Sequence, residues 1–144
     1  MAAQTTSSTE IAASPTTVLE VITDLEGYPA WTASVREVDV LCRDEQGRPA
    51  QARFVLDAGP IKDSYVLAYS YPPDTVQWTL VEASLITALD GSYVVRPAGI
   101  GTEVTYQLSV EVSVPMLGLM KRKAERVIID TALNELKRRA ERGR

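Results

Sequence analysis

The 144-residue chain contains no histidine, one cysteine and one phenylalanine. Only histidine starts with a pKa near the working pH, so a mechanism that uses an imidazole as general base is excluded. Ser-His and Cys-His nucleophile arrangements are excluded with it. An oxygen-only metal site would need clustered carboxylates, and the spacing supplies none. No metal and no cofactor are expected. The single cysteine, Cys42, rules out an internal disulfide and suits a reducing compartment. It has no basic neighbour in sequence that would activate it, and it shares the apolar parity of its segment, so it reads as a small core residue. No apolar run approaches the ~20 residues that cross a bilayer. The opening MAAQTTSSTE lacks the basic and apolar regions of a secretory signal. A cytoplasmic location is expected.

What is present is typical of a globular chain: 45% hydrophobic and 24% charged residues. The length fits one domain, 1–144, and allows a core that needs no metal or disulfide. The net charge of −4 conceals an asymmetry. From Lys121 to Arg144 there are nine basic and four acidic side chains, a balance of +5, so the other residues carry −9. A negative body repels phosphate backbones, and no nucleic-acid partner is expected. The basic segment reads as the solvated face of a helix whose cations suit the C-terminal end of the macrodipole. Contact with an anionic lipid surface or a partner is the alternative.

Hydrophobic periodicity divides the chain. QTTSSTEIAA, residues 4–13, reads as a strand. Ser14-Pro15 supplies an N-cap and a proline at the first helical position, and the helix runs to about Asp24. Gly27-Tyr28-Pro29 breaks the chain before a short helix at Ala30-Trp31. From Ser34 the period becomes two. Val38, Val40 and Cys42 share a face in the first of these strands, and Ala52, Phe54 and Leu56 in the next. Tyr65, Leu67, Tyr69 and Tyr71 follow, then Val76, Trp78 and Leu80, then Leu89, Gly91, Tyr93 and Val95. Val104, Tyr106, Leu108, Val110 and Val112 form the clearest alternation. Short Gly/Pro/Asp turns join these six strands, which predicts an antiparallel meander covered on one face. Gly99-Ile100-Gly101 is a hairpin turn, not a phosphate loop. Beyond Pro115, Met120, Ala124, Ile128, Ala132, Leu136 and Ala140 recur every four residues, flanked by Leu117, Val127 and Leu133. That spacing predicts one long helix of about 25 residues. The expected class is α+β, a curved antiparallel sheet of about seven strands with two short helices and a long C-terminal helix.

This order of elements resembles the helix-grip fold of the START-like superfamily. Three segments are similar to the bacterial polyketide cyclase/dehydrase (SRPBCC) family: SPTTVLEVITDLEGYPAW from Ser14 to Trp31, VQWTLVEASLITALDGSYVVRPAGIGTEVTYQL from Val76 to Leu108, and the basic amphipathic helix beyond Pro115. Together they cover nearly the whole chain. They consist mostly of turns, caps and core aromatics, so they specify the fold more than the function. The resemblance implies an apolar cavity between sheet and helix. Cyclases and aromatases of the superfamily share this fold, but the missing histidine sets this chain apart from any imidazole-based mechanism.

The inward sheet face is rich in hydroxyls, at Tyr65, Tyr69, Tyr93 and Tyr106 beside Trp78. A solid core prefers Leu, Val and Phe, since each buried hydroxyl needs a partner. Either these rings pack against the helix with their tips at the rim or on backbone groups, or they wall a cavity and aim at a ligand. On the cavity reading the candidate binding residues of the sheet are Phe54, Leu56, Tyr65, Leu67, Tyr69, Trp78, Leu80, Leu89, Tyr93, Tyr106 and Leu108. Those of the helix are Leu117, Met120, Ala124, Val127, Ile128 and Thr131. Asp63, Glu82 and Asp90 lie near strand ends. Asp63, Tyr65 and Glu82 are the candidate proton-transfer groups, by parity on the cavity side; a solvated rim or turn carboxylate is the plainer reading of the two acids. Arg96 is expected in solvent. The expected function is a binding or carrier protein for a small hydrophobic ligand, lipid-like or aromatic polyketide-like, acting as monomer or homodimer. The alternative is a polyketide cyclase/dehydratase-type enzyme. A third role is peripheral membrane contact through the basic helix.

Overall fold

The computed structural model describes residues 4–58, 61–113 and 118–142. The chain runs β1 (Thr5–Ile11), α1 (Pro15–Thr23), a 3₁₀ turn (Leu25–Gly27), α2 (Tyr28–Trp31), then β2 (Val35–Arg43), β3 (Pro49–Ala58), β4 (Ile61–Ser70), β5 (Thr75–Ala83), β6 (Ile86–Ala98), β7 (Gly101–Val112) and α3 (Gly118–Glu141). The expected first helix forms as its caps dictate: the Ser14 hydroxyl accepts from the Thr17 N–H at 3.2 Å, and Pro15 occupies the first turn. The second helix begins at Tyr28, earlier than expected, because Pro29 in a first turn has no N–H to lose.

All seven strands join one antiparallel sheet in the order β1-β7-β6-β5-β4-β3-β2. Strands β2 to β7 form the meander, and β1 closes onto β7 with Thr5 opposite Leu108. α3 lies across the sheet chiefly against β1 and β7 and touches α1, α2 and β3. This is the helix-grip arrangement. The core runs between the inward sheet face and α3, with Val18, Val21 and Ile22 of α1 sealing one end. The β6–β7 hairpin turns through Gly99, at φ 60° in the left-handed region.

Two expectations about the core fail for geometric reasons. Cys42 is exposed, not buried. The register of β2 on β3 shifts between Val40 and Cys42, and such a bulge breaks the parity that placed Cys42 with Val38 and Val40. On α3, Met120 and Val127 are exposed at 53% and 44%. A step of four residues advances about 40° beyond a full turn, so a strict four-residue stripe winds off one face of a helix. The buried line is instead Ala124, Glu125, Ile129, Leu133, Leu136 and Ala140. Leu117, Pro115 and the Gly59-Pro60 turn lie outside the described residues.

Candidate functional site: an aromatic cavity

Alternation brings the rings of five adjacent strands, β3 to β7, onto one face. Phe54 stacks on Tyr65 at 5.6 Å between centroids, Tyr69 meets Trp78 at 5.9 Å, and Trp78 meets Tyr93 and Tyr106 at 5.4 and 5.7 Å. These are the spacings at which aromatic pairs attract. Trp78 lies directly over Gly91, its partner in the ladder, and any Cβ at Gly91 would collide with the indole. From the helical side α2 adds Tyr28 and Trp31, whose rings meet edge to face at 5.0 Å.

Between these rings and α3 lies an apolar cavity of about 70 Å³. Eleven of the expected residues line it: Phe54, Leu56, Tyr65, Leu67, Tyr69, Trp78, Leu89, Tyr93, Tyr106 and Leu108 from the sheet, and Ile128 from α3. The other described members of the helical set do not. Ala124 is buried against the sheet away from the cavity, Thr131 is half-buried off its wall, and Met120 and Val127 point to solvent. Leu80 also misses the wall, because β5 pairs with β6 only from Thr75 to Thr79 and diverges where Leu80 begins.

Other lining residues were not foreseen. Thr32, Ser34 and Val35, which follow α2, line the cavity with Tyr28 and Trp31. A four-residue helix has no periodicity to read, so only the paired aromatics gave a signal. Ile86 lines the cavity although it is three residues from Leu89, because a bulge falls between Ile86 and Ala88. Val110 and Ala132 do so as well, and both lie in the correct repeats.

The hydroxyls divide into two sets. Tyr28 donates to the Ile22 carbonyl, and Tyr71 donates to the Pro49 carbonyl at 2.6 Å. Among the described residues no protein group bonds the hydroxyls of Tyr65, Tyr69, Tyr93 or Tyr106. Burial pushes all four of these phenols well above their ordinary pKa; in Tyr93 the neighbours Tyr106, Tyr28 and Glu135 add to it. They therefore stay protonated and serve as hydrogen-bond donors and acceptors, not as bases.

The carboxylate candidates sit elsewhere. Burial pushes the Asp63 carboxyl up, but the N–H groups of Ile86, Leu85, Ser64 and Ser84 outweigh it and hold the group below its ordinary value. Three of those bonds, from Ser64, Leu85 and Ile86, measure 2.7 Å. Asp63 is thus an anion clasping the start of β6 to β4, and Tyr65 beside it is a protonated phenol. Glu82 is exposed, opposite Val66 on the outer face, because the register shift between Val66 and Leu67 reverses the parity of β5 there. Asp90 also faces out and accepts from Thr79 Oγ1 at 2.8 Å. Arg96 is in solvent as expected. Among the described residues no cluster of carboxylate or thiol side chains could hold a metal ion, and no helix is long and apolar enough to cross a membrane.

The chain is similar to a START superfamily protein from Mycobacterium smegmatis, at 25% identity over 98% of this chain and 99% of that one, with a TM-score of 0.92. Its fold also matches the Zhui aromatase/cyclase from Streptomyces sp. R1128, at 16% identity, 97% and 94% coverage and a TM-score of 0.76. A STAR-related lipid transfer protein from Xanthomonas axonopodis aligns at 17% identity, 95% and 85% coverage and a TM-score of 0.70. No curated protein matches the sequence. The sequence profile described as polyketide cyclase / dehydrase and lipid transport matches residues 2–141, and the chain belongs to that family.

Proposed function

We propose that the protein binds or carries a small hydrophobic molecule, aromatic rather than long-chained, between the sheet and α3. One observation carries this reading: among the described residues, four tyrosine hydroxyls stand without protein partners around an apolar cavity. A core built only for stability would satisfy such hydroxyls or replace them by Phe. Size argues for a compact ligand. Pockets for drug-sized ligands run about 300–1,000 Å³, whereas this cavity holds about 70 Å³. A ring system can enter by small shifts of the surrounding rings; an extended acyl chain would require the helix to lift. The family's description covers both lipid transport and polyketide cyclisation and leaves both ligand types open, and cavity volume favours the aromatic one.

A cyclase role has less support. Asp63 is committed to backbone N–H groups, Glu82 points outward, and the cavity phenols are too weakly acidic to give up a proton near neutrality.

The test is fluorescence titration with N-phenyl-1-naphthylamine, a neutral aromatic dye. The wild type should bind it in the micromolar range. Ala132→Phe adds a ring into the cavity without deleting a core contact and should reduce binding by about tenfold or more. Equal binding by both proteins, or none by the wild type, defeats the proposal.

A further inference from the structure

A second pocket, of about 200 Å³, opens beside the apolar cavity. Its walls are Ala30 and Trp31 from α2, Glu135 from α3, and Arg138, Arg139 and Arg142 from the end of α3. Trp31 also lines the apolar cavity, so the two spaces meet at one residue.

The basic residues of this helix end fall into two groups. Lys137 is engaged: its ammonium bonds Glu141 and the Glu10 carbonyl, both at 2.7 Å, and Glu141 in turn accepts from the Ala12 N–H. That set ties α3 to β1. Arg138, Arg139 and Arg142 enter no ion pair among the described residues. A favourable helix dipole accounts for cations at this end. It does not account for three arginines around one pocket that an indole also lines. Two carboxylates stand nearby: Glu135 in the same pocket, and Asp24, which shares a smaller space with Trp31 and Arg139. Neither is within ion-pair distance of a guanidinium. In the larger pocket three cations therefore face one carboxylate, and the balance favours an anion.

We propose that Arg138, Arg139 and Arg142 form a head-group pocket for the anionic end of an aromatic ligand whose rings occupy the apolar cavity, with Trp31 lining both spaces. This rests on the cavity reading and narrows it to aromatic acids, carboxylates or sulfonates, in preference to neutral aromatics of the same shape. Guanidinium suits this task because its fixed fork of donors matches an oxyanion.

The experiment uses two dyes with one ring system. 8-Anilino-1-naphthalenesulfonate differs from N-phenyl-1-naphthylamine by a single sulfonate. At low salt the intact protein should bind the sulfonate dye about tenfold more tightly than the neutral one. R138Q/R139Q/R142Q should bring the sulfonate dye down to the neutral dye's affinity, leaving the neutral dye and the melting temperature unchanged. Raising salt to about 0.5 M should remove most of the preference in the wild type, since the arginines are partly exposed. If the neutral dye binds and the sulfonate dye binds no better, the head-group pocket is wrong while the cavity stands. A preference that survives in the triple variant also overturns it. If neither dye binds, both readings fall.

Discussion

Helix α3 carries two inward carboxylates, one against the sheet and one against the connection after α2, and treats them in opposite ways. Glu125, in its first half, is fully buried and has three donors at 2.7 Å: the Thr5 hydroxyl, the Val110 N–H and the Lys121 ammonium. Val110 lies two residues beyond the point where β1 stops pairing with β7, so its edge N–H would otherwise be orphaned. Glu125 fills that gap and staples helix, edge strand and sheet together. Glu135, ten residues on, spends Oε2 on the Ala33 N–H at 3.3 Å, while its Oε1 is buried with no protein donor. Buried polar atoms are normally satisfied, so the first carboxylate belongs to the scaffold and the second is spare capacity beside a pocket.

Removing the first should therefore cost most. Glu125→Ala strips an acceptor from three groups at once and leaves Lys121 facing only the more distant Glu111, at 3.9 Å. The expected loss is about 3 kcal/mol, at the low end for breaking a buried charge pair because Lys121 keeps some solvent. Thermal unfolding should shift down by roughly 10 °C. A shift of a degree or two would mean the staple does not hold α3 to the sheet.

Asp63 extends the comparison to the start of β6, where a carboxylate again serves backbone donors. Asp63→Asn keeps the shape but weakens the acceptor, and should cost about 1–2 kcal/mol. Its pKa is lowered on folding, so its contribution is complete above the unfolded value of about 3.9 and disappears as pH falls through the folded value below that. Urea midpoints measured from pH 6 down to pH 2 should fall less steeply in Asp63→Asn than in wild type. Parallel curves would show that the four N–H bonds contribute nothing to its acidity.

The tyrosines divide in the same way. Tyr28→Phe removes a hydroxyl bonded to the Ile22 carbonyl and should cost about 1 kcal/mol. Tyr93→Phe and Tyr106→Phe remove hydroxyls without protein partners and should stay within about 0.5 kcal/mol of wild type, while dye binding changes. A large stability loss in either would reveal a structural bond that the cavity reading denies.

The sheet's half of this architecture was legible in the sequence because its signal is strict. A period of two admits two faces only, so placing Phe54 inward also placed Leu56, and Tyr93 fixed Gly91 and Val95. It failed at bulges, near Cys42, Glu82 and Ile86, where one extra residue reverses parity and no residue type announces the insertion, and at Leu80, where β5 leaves β6. The helix was less legible. Its period of 3.6 makes several stripes nearly equivalent, and exposed Met120 and Val127 competed successfully with buried Ile129 for the apolar face. Glu125 was unreadable for a different reason: a buried glutamate looks like a surface one until Thr5 and Val110, distant in sequence, are seen to meet it. The arginines were visible only as a charge run, since nothing in their spacing places Trp31 beside them.

Glu135→Gln should have the smallest effect on stability and separates the two carboxylates most sharply. The amide oxygen can still accept from the Ala33 N–H, so that bond need not be lost. What changes is the other position, where a carboxylate oxygen without a donor becomes a neutral group able to donate. One unmet polar atom replaces another at that position and a charge is removed, so thermal unfolding should move by no more than about 0.5 kcal/mol in either direction. Ligand binding should respond more than folding does. With the single carboxylate gone from the pocket of Arg138, Arg139 and Arg142, an anionic dye meets less repulsion and should bind about two- to threefold more tightly at low salt, the gain shrinking as salt is raised. The neutral dye, lodged among the rings, should not change. A destabilisation comparable to Glu125→Ala would make Glu135 a second staple whose partner is a protein group after all, and the contrast between the two ends of the helix would collapse.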